Sequence, residues 1–154
     1  MQTNQHTPTA AITHPTVQAI PTDKPILLFD GVCNLCNGSV QFIIRHDRKG
    51  IFRFAALQSD VGKQLLQQAN MPPNSIHTVV LYESGIFYTH SDAPLRVVRH
   101  LQGAWPLLYG LALIPRFIRD AIYRWIARHR YRWFGQRASC MIPTPDLRAR
   151  FISF

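Results

Sequence analysis

The hydrophobic pattern of this chain changes period several times, and each change predicts the boundary of a strand or a helix. Ile26 to Phe29 form a continuous apolar run that ends at Asp30-Gly31, which is typical of a strand buried on both faces and closed by a turn. After Cys36 the pattern becomes helical, because Val40 and Ile43 recur on one face. The sequence therefore predicts a strand-to-helix junction at the first turn.

The same reasoning predicts an alternating series of elements up to about residue 101. In chain order these are a strand at Ile51 to Ala55, a helix capped by Ser59 or Asp60, strands at His77 to Tyr82 and Ile86 to Thr89, and a helix capped by Ser91. A helix joins the first two strands and a short turn joins the last two, so the order β-α-β-α-β-β-α implies a mixed sheet. This α/β order, with a CxxC motif after the first strand, is the thioredoxin-like arrangement.

The last third of the chain adds helices to this minimal arrangement. Ala104 to Ile114 is apolar and predicted to be helical, Pro115 suits the first turn of another helix, and Gly135 fits a C-terminal stop. Residues 1–24 are rich in Thr, Gln and Pro, which is typical of a disordered tail. We expect that tail, a domain over residues 25–143 with its helical extension from about 104, and a C-terminal tail at residues 144–154.

Composition narrows the class of protein and its compartment. With 154 residues, 47% hydrophobic and 16% charged, the chain fits one globular domain that needs no disulfide framework. The N-terminus lacks the basic start and the apolar stretch of about 7 to 15 residues that a secretory signal has. An odd number of cysteines, three, also argues against structural disulfides. We therefore expect a cytoplasmic protein.

The position of Cys33 and Cys36 gives thiol chemistry a mechanism. A cysteine at a helix N-terminus meets unpaired backbone N–H groups and the positive end of the helix dipole, which favour the thiolate. Cys33 is predicted to lie there as a nucleophile, and Cys36, one turn later, is positioned to resolve a mixed disulfide. Asp30 could accept the proton of the resolving cysteine, although a turn-forming role explains it equally well.

Two other interpretations of the pair stay open from the residues alone. A closed zinc site needs four ligands, and a single CxxC would have to recruit Cys140, His129 or His46. Alternatively, both cysteines could be small buried hydrophobes. Cys140 is in turn a possible third redox cysteine or a packed residue.

The motif Asp30-Gly31-Val32-Cys33-Asn34-Leu35-Cys36 has the form DxxCxxC, and with it the chain resembles the DCC family of predicted thiol-disulfide oxidoreductases. The likeness extends over about residues 25–143, through His46-Asp47-Arg48, Phe52-Arg53-Phe54-Ala55, Leu57-Gln58-Ser59, Ser91-Asp92-Ala93, Ile114-Pro115, Arg119-Asp120, Tyr123, Arg128, Arg130-Tyr131-Arg132, Phe134-Gly135, Cys140 and Pro143. The resemblance implies a thioredoxin-like fold and dithiol chemistry at Cys33 and Cys36.

One departure concerns the proline that thioredoxin-like proteins carry before the third strand, facing the CxxC. The corresponding segment, residues 74–79, contains no proline, and Pro72 and Pro73 come several residues too early. Loss of that proline can leave the thiols free to bind metal, which keeps zinc as an alternative cofactor.

The C-terminal third is strongly basic. Seven arginines lie between Arg116 and Arg137 against one acid, Asp120, and they alternate with aromatic residues. Such a segment suits an anionic membrane surface or a nucleic acid, with the candidate contacts Arg116, Arg119, Arg124 and Arg128. In the simpler interpretation, Ile122 and Trp125 pack on the domain and the arginines are solvated. Arg119 or Arg124 then forms a local pair with Asp120. The apolar run before this segment is far shorter than the roughly 20 residues of a membrane span, so we expect no span.

We therefore expect a protein-disulfide oxidoreductase with no cofactor beyond its redox-active disulfide. Its partners would be a protein or small-molecule thiol or disulfide and an electron donor. The alternative is a non-enzymatic binding module in which the basic helix docks on an anionic partner and the cysteines are structural or hold zinc.

Overall fold

The computed structural model describes residues 23–72, 78–138 and 144–153, which form a mixed five-stranded sheet with helices on both faces. The strands are β1 (Ile26–Phe29), β2 (Arg53–Ala56), β3 (Val80–Glu83), β4 (Ile86–Thr89) and β5 (Phe151–Ser153). The α-helices are α1 (Asn34–His46), α2 (Asp60–Gln68), α3 (Asp92–His100) and α4 (Arg116–Phe134), and two 3₁₀ helices cover Trp105–Leu113 and Pro145–Arg150. The mixed α/β prediction is confirmed.

The most buried strand, β1, lies at the centre of the sheet order β4-β3-β1-β2-β5. It pairs in parallel with β2, Leu27 opposite Phe54, and antiparallel with β3, Leu27 opposite Leu81. All four of its residues are buried, which explains the uninterrupted apolar run in the sequence. Asp30, the first residue after β1, is therefore held at the carboxyl end of the buried central strand.

The two faces of the sheet carry separate hydrophobic clusters. On one face, Leu27 and Phe29 pack with Val40 of α1 and Val97 of α3. On the other face, Ile26 and Leu28 of β1 pack with Leu65 and Leu66 of α2. Alternate residues of β1 thus face opposite layers, as the period of a strand requires. The first turn of α1 consequently lies on the same side of the sheet as α3.

Several boundaries differ from those that the sequence pattern predicts. The stretch Trp105–Leu113 is a 3₁₀ helix rather than an α-helix, and it contains Pro106 and Gly110, both poor helix formers. In the predicted third strand, Thr78 and Val79 precede the ladder, which begins at Val80. None of the helices in the described ranges has the length and hydropathy of a membrane span.

The C-terminal residues contribute a strand that the pattern did not predict. Residues 144–154 were expected to be a tail, yet β5 pairs in parallel with β2 at the edge of the sheet. Phe151 is buried there, with its ring 5.5 Å from that of Phe54 and 6.2 Å from that of Phe29. A three-residue strand is too short for its alternation to be recognised in a sequence.

Candidate active site

Cys33 and Cys36 lie at the start of α1, as the sequence predicts. Cys33 is the N-cap residue, in an extended conformation, and its Sγ accepts the backbone N–H of Cys36 at 3.4 Å. Both are free thiols, and both are buried: Cys33 is 0% and Cys36 5% exposed. The N-cap position gives Cys33 the helix N–H donor that a thiolate needs.

Asp30 is buried close to this pair and has four hydrogen-bond donors. Its Oδ1 accepts the backbone N–H of Val32 at 3.2 Å and the Gln58 side-chain amide at 2.8 Å. Its Oδ2 accepts Arg130 Nη2 at 3.0 Å and the Tyr131 hydroxyl. A buried carboxylate is tolerated when it is paired and hydrogen-bonded in this way. Asp30 is thus more than a turn former, because it organises donors from α4 and from the residues after β2.

Arg130 of α4 is the residue that connects the carboxylate with the thiols. Its side chain is 3% exposed, Nη2 contacts Asp30 Oδ2 at 3.0 Å, and Nη1 lies 3.8 Å from Cys36 Sγ. The sequence pattern placed Arg130 within the resemblance to the DCC family and predicted no role for it. One signal was available: Arg130 follows Tyr123 and Ile126 by seven and four residues, which puts it on their side of the helix.

Burial affects the proton affinity of Cys36 and Tyr131. Burial raises the pKa of the Cys36 thiol from 9.0 to about 12, and the hydrogen bond and charge of Cys33 add to the rise. The positive charge of Arg130 acts in the opposite direction on the same pKa. Burial, followed by the hydrogen bond to Asp30, also raises the pKa of Tyr131. Cys36 and Tyr131 consequently hold their protons well above neutral pH.

A short segment after α4 covers the first cysteine. Gln136 forms an antiparallel bridge with Cys33, and the backbone N–H of Arg137 donates to Val32 O at 2.8 Å. Asn34 binds both this segment and the end of α4, because its Oδ1 accepts Arg137 Nε at 2.9 Å and its Nδ2 donates to Phe134 O at 2.8 Å. This covering segment, residues 135–137, contributes to the burial of Cys33 together with the hydrophobic cluster around it.

On the other side of the pair, a cavity of about 540 Å³ lies between α1, α3 and α4. Cys36 is in its wall, together with Arg130 and Phe134. Cys33 is not among the residues that line it. The two cysteines therefore face different surroundings, a chain segment for Cys33 and an apolar cavity for Cys36.

The remaining candidate residues are either outside the described ranges or bonded to other groups. Cys140 lies outside the described residues, as does most of the segment that lacks the expected proline, so both hypotheses stay predictions. Within the described ranges, no three His, Cys, Asp or Glu side chains gather as a possible metal site. His46 and His129 each bond a carbonyl one turn earlier in their own helices, Phe42 O and Trp125 O.

The predicted basic surface is only partly as expected. Arg119 is mostly buried and contacts Asp92 at 3.0 Å, and Arg116, not Arg119 or Arg124, lies near Asp120, at 3.6 Å. The expectation that apolar residues of α4 pack on the domain is wrong for Ile122 and Trp125, which are both 54% exposed. They point outward because Tyr123 and Arg130 occupy the inward side of the helix.

A mixed sheet with a dithiol pair at the N-terminus of the first helix defines a class of protein with redox-capable thiols. A family model described as DCC1-like thiol-disulfide oxidoreductase matches residues 27–136. The chain belongs to this family, which confirms the resemblance and supports a redox role.

Two relatives match over most of their length. The chain is 46% identical over 127 residues to a Bacillus subtilis protein called "Uncharacterized protein YuxK", covering 82% of this chain and 93% of that protein. It is 45% identical over 118 residues to the Arabidopsis thaliana "DCC family protein At1g52590, chloroplastic", covering 76% of this chain and 69% of that protein. No solved structure matches.

Proposed function

We propose that the chain catalyses thiol–disulfide exchange, with Cys33 as the nucleophile and Cys36 as the resolving cysteine. The observation that carries this proposal is the N-cap position of Cys33, whose Sγ accepts the Cys36 backbone N–H at 3.4 Å. That position stabilises a thiolate on Cys33. The raised pKa of Cys36 supports the same order, because it keeps Cys36 protonated during the first step.

In the first step, the Cys33 thiolate attacks one sulfur of a substrate disulfide, the substrate S–S bond breaks, and one half leaves as a thiolate. Cys36 then loses its proton and attacks Cys33 Sγ, which forms the Cys33–Cys36 disulfide and releases the second half as a thiolate. Both leaving thiolates take up protons. The substrate has gained two electrons and the cysteine pair has lost them, and the reverse sequence oxidises a dithiol.

Asp30 and Arg130 serve the second step in this proposal. The guanidinium, 3.8 Å from Cys36 Sγ, stabilises negative charge as it develops on that sulfur. Asp30 remains the proposed acceptor of the Cys36 proton, and its ion pair with Arg130 holds its carboxylate beside the cysteines. A charge partner is needed here because burial disfavours the Cys36 thiolate.

The order of attack can be tested by trapping the mixed disulfide. With a model disulfide substrate, we expect Cys36→Ser to accumulate a covalent adduct on Cys33, since nothing resolves it. Cys33→Ser should form little adduct, and Cys140→Ser should behave as the wild type. Intact-protein mass spectrometry across a redox titration reports each species. The proposal fails if no reversible Cys33–Cys36 disulfide forms, or if Cys33→Ser forms the adduct as fast as Cys36→Ser.

This cycle needs no bound cofactor, because the two electrons reside in the Cys33–Cys36 bond. Elemental analysis for zinc, with and without Cys33→Ser, tests the binding-module alternative. A stoichiometric metal that is lost in the variant would favour that alternative. A cytoplasmic location also stays a proposal, and fractionation of cells that express the tagged chain tests it.

A second function is favoured by one specific observation, the exposed apolar surface of α4. We call this surface the α4 face, and its exposed apolar residues are Phe117, Ile118, Ile122, Trp125 and Trp133. Phe117 is 73% exposed, and the rings of Trp125, His129 and Trp133 lie 5.0 to 5.3 Å apart on this helix. Large exposed apolar side chains grouped in this way are typical of an interaction site.

The charges near the α4 face favour an anionic lipid surface as its partner. Arg124, Arg128 and Arg132 are exposed on the same helix, whereas its acid, Asp120, is bonded to Ser91 and Arg116. Aliphatic and aromatic residues flanked by arginines suit the boundary between acyl chains and anionic headgroups. A second copy would bring like charges together, since the net charge is +9. We therefore propose that this face binds the surface of an anionic bilayer.

Vesicle sedimentation tests this second proposal. We expect binding to phosphatidylglycerol vesicles that exceeds binding to phosphatidylcholine vesicles and falls with salt, because the arginine contribution is screened. Arg124→Ala/Arg128→Ala should weaken this preference, Trp125→Ala should weaken binding to both, and Lys63→Ala on α2 is the matched control. Equal binding to both vesicles, tighter binding to single-stranded RNA, or a dimer that buries Trp125 would each overturn it.

A further inference from the structure

The cavity beside Cys36 has the size and the walls of a small-molecule site. Its volume of about 540 Å³ falls within the range of roughly 300–1,000 Å³ that ligand pockets occupy. Leu27 and Phe29 of β1 form its floor, and Val97, Val98 and Leu101 of α3 form one wall. The space is open to solvent on one side, so a ligand can enter it without displacing core side chains.

The polar side chains that line the cavity are already engaged with other protein groups. The Tyr123 hydroxyl accepts the Val79 backbone N–H at 3.0 Å, and Ser39 Oγ donates to Leu35 O at 2.9 Å. Asn34 holds the covering segment and Arg130 is paired with Asp30, as described above. An incoming polar ligand would lose its hydration without equivalent partners, whereas an apolar ligand would not. The lining therefore selects apolar molecules.

The cavity opens between α1 and α4. Gly38 and Ser39 are exposed on the α1 side of the opening, and Ile126 and Phe134 are partly exposed on the α4 side. A Cβ added at Gly38 meets nothing within 4 Å, so this side of the opening is not obstructed by the chain. A small molecule that enters here meets Cys36 first, because Cys33 lies under the covering segment.

We propose that this cavity binds the apolar group of a small thiol and directs its sulfur to Cys36, so that an apolar thiol is the electron donor that reduces the Cys33–Cys36 disulfide. This inference rests on the proposed function, because it requires that disulfide. Cys33 is the suitable leaving group when a thiol attacks Cys36, because its Sγ accepts the backbone N–H of Cys36 and this hydrogen bond stabilises the departing thiolate.

The proposed reduction takes two exchanges. The donor thiolate attacks Cys36 Sγ, the Cys33–Cys36 bond breaks, and Cys33 leaves as a thiolate that is later protonated. The donor is then joined to Cys36 by a mixed disulfide, with its apolar group in the cavity. A second donor thiolate attacks the donor sulfur of that bond, which releases Cys36 and a donor disulfide. Two donor thiols have been oxidised to one disulfide and the cysteine pair has been reduced.

The test compares two thiols of similar acidity, phenylmethanethiol and 2-mercaptoethanol, as reductants of the oxidised protein. We expect phenylmethanethiol to reduce the pair at least about tenfold faster, which corresponds to about 1.4 kcal/mol. Its rate should also saturate with concentration, because the cavity binds it before exchange. Quenching with an alkylating agent followed by mass spectrometry gives both rates.

Two variants narrow the opening at exposed positions, where folding is least affected. Gly38→Trp and Ile126→Trp should each slow reduction by phenylmethanethiol more than reduction by 2-mercaptoethanol, so that the ratio of the two rates falls toward one. Gly110→Trp makes the same change away from the cavity and should have no effect. The inference is overturned if the two thiols react at equal rates in the wild type, or if neither opening variant changes their ratio.

A redox-independent measurement separates this inference from the proposed function. In Cys33→Ser/Cys36→Ser, dibenzyl sulfide, an apolar thioether that cannot exchange, should shift NMR signals of cavity residues, and Gly38→Trp should prevent the shift. Binding without any Cys33–Cys36 disulfide in the wild type would contradict the proposed function and leave an apolar site. A functional disulfide without binding and without a thiol preference would contradict the cavity assignment alone.

Discussion

At the scale of single residues, Arg130 determines how Asp30 and Cys36 can coexist in a buried site. The carboxyl group of Asp30 has lost water, and the ion pair with the guanidinium 3.0 Å away compensates for that loss. The same guanidinium lies 3.8 Å from Cys36 Sγ, so one positive side chain contacts both acidic groups. The two acidic groups would otherwise disfavour each other's charged forms, and Asp30 indeed contributes to the raised pKa of Cys36.

Removing Arg130 should therefore destabilise the protein strongly. We expect Arg130→Met to lower the free energy of unfolding by about 3–5 kcal/mol, because Asp30 would lose its ion-pair partner in a buried site. Adding Asp30→Asn should recover part of that loss. Arg128→Met, an exposed change on the same helix, is the control and should change little. Urea denaturation measures all four proteins, and equal effects of Arg130→Met and Arg128→Met would contradict the ion-pair role.

Cys36 should also make stability depend on pH. Its pKa is about 12 in the folded protein against 9.0 as the reference, so folding favours the protonated thiol. This contribution is complete below about pH 9 and is lost as the pH rises toward about 12. The difference in unfolding free energy between the wild type and Cys36→Ala should therefore shrink across that interval. Urea titrations at successive pH values give the difference, and a constant value would contradict the burial argument.

At the scale of elements, α4 connects the site with the surface. Its inward side supplies Tyr123 and Arg130, and the covering segment begins directly after it at Gly135, whose φ is 77°. Glycine adopts this conformation without strain, which lets the chain turn back toward Cys33. The helical extension thus contributes residues to the candidate active site rather than being added to a complete domain.

The covering segment should control the reactivity of Cys33. Asn34→Ala removes two side-chain hydrogen bonds that hold it in place, one with Arg137 of the segment and one with Phe134 directly before it. At about 1 kcal/mol each, their loss should raise the alkylation rate of Cys33 by roughly tenfold or more. Ser39→Ala, which removes one hydrogen bond elsewhere in α1, should leave the rate unchanged. Peptide mapping after a timed iodoacetamide pulse distinguishes Cys33 from Cys36. No acceleration would mean that the segment does not limit access.

Elements with strong local patterns were predictable, and contacts between distant elements were not. The uniform apolar run of β1 and the start of α1 at the CxxC follow from local residues, so the position of Cys33 could be read from the sequence. The pairing of Asp30 with Arg130 joins residues 100 positions apart, and no local pattern encodes it. The outward orientation of Trp125 depends equally on which side of α4 the domain occupies.

At the scale of the whole molecule, β5 adds an edge strand to the sheet beside β2. Phe151 packs on Phe29 and Phe54, one from the central strand and one from β2. We expect Phe151→Ala to reduce the free energy of unfolding by about 3–5 kcal/mol, the usual cost for a buried phenylalanine. Thermal unfolding followed by circular dichroism tests this, with the exposed Ile86→Ala on β4 as the control. A loss no larger than that of the control would exclude Phe151 from the core.

The burial of Cys33 also determines which oxidants the protein resists. Peroxide converts accessible thiolates to sulfenic acid and then to forms that thiols do not restore. At 0% exposure beneath Gln136, Cys33 is shielded from this damage until the covering segment is displaced. We therefore expect residues 135–137 to slow every reaction that requires access to Cys33 Sγ, including its oxidation.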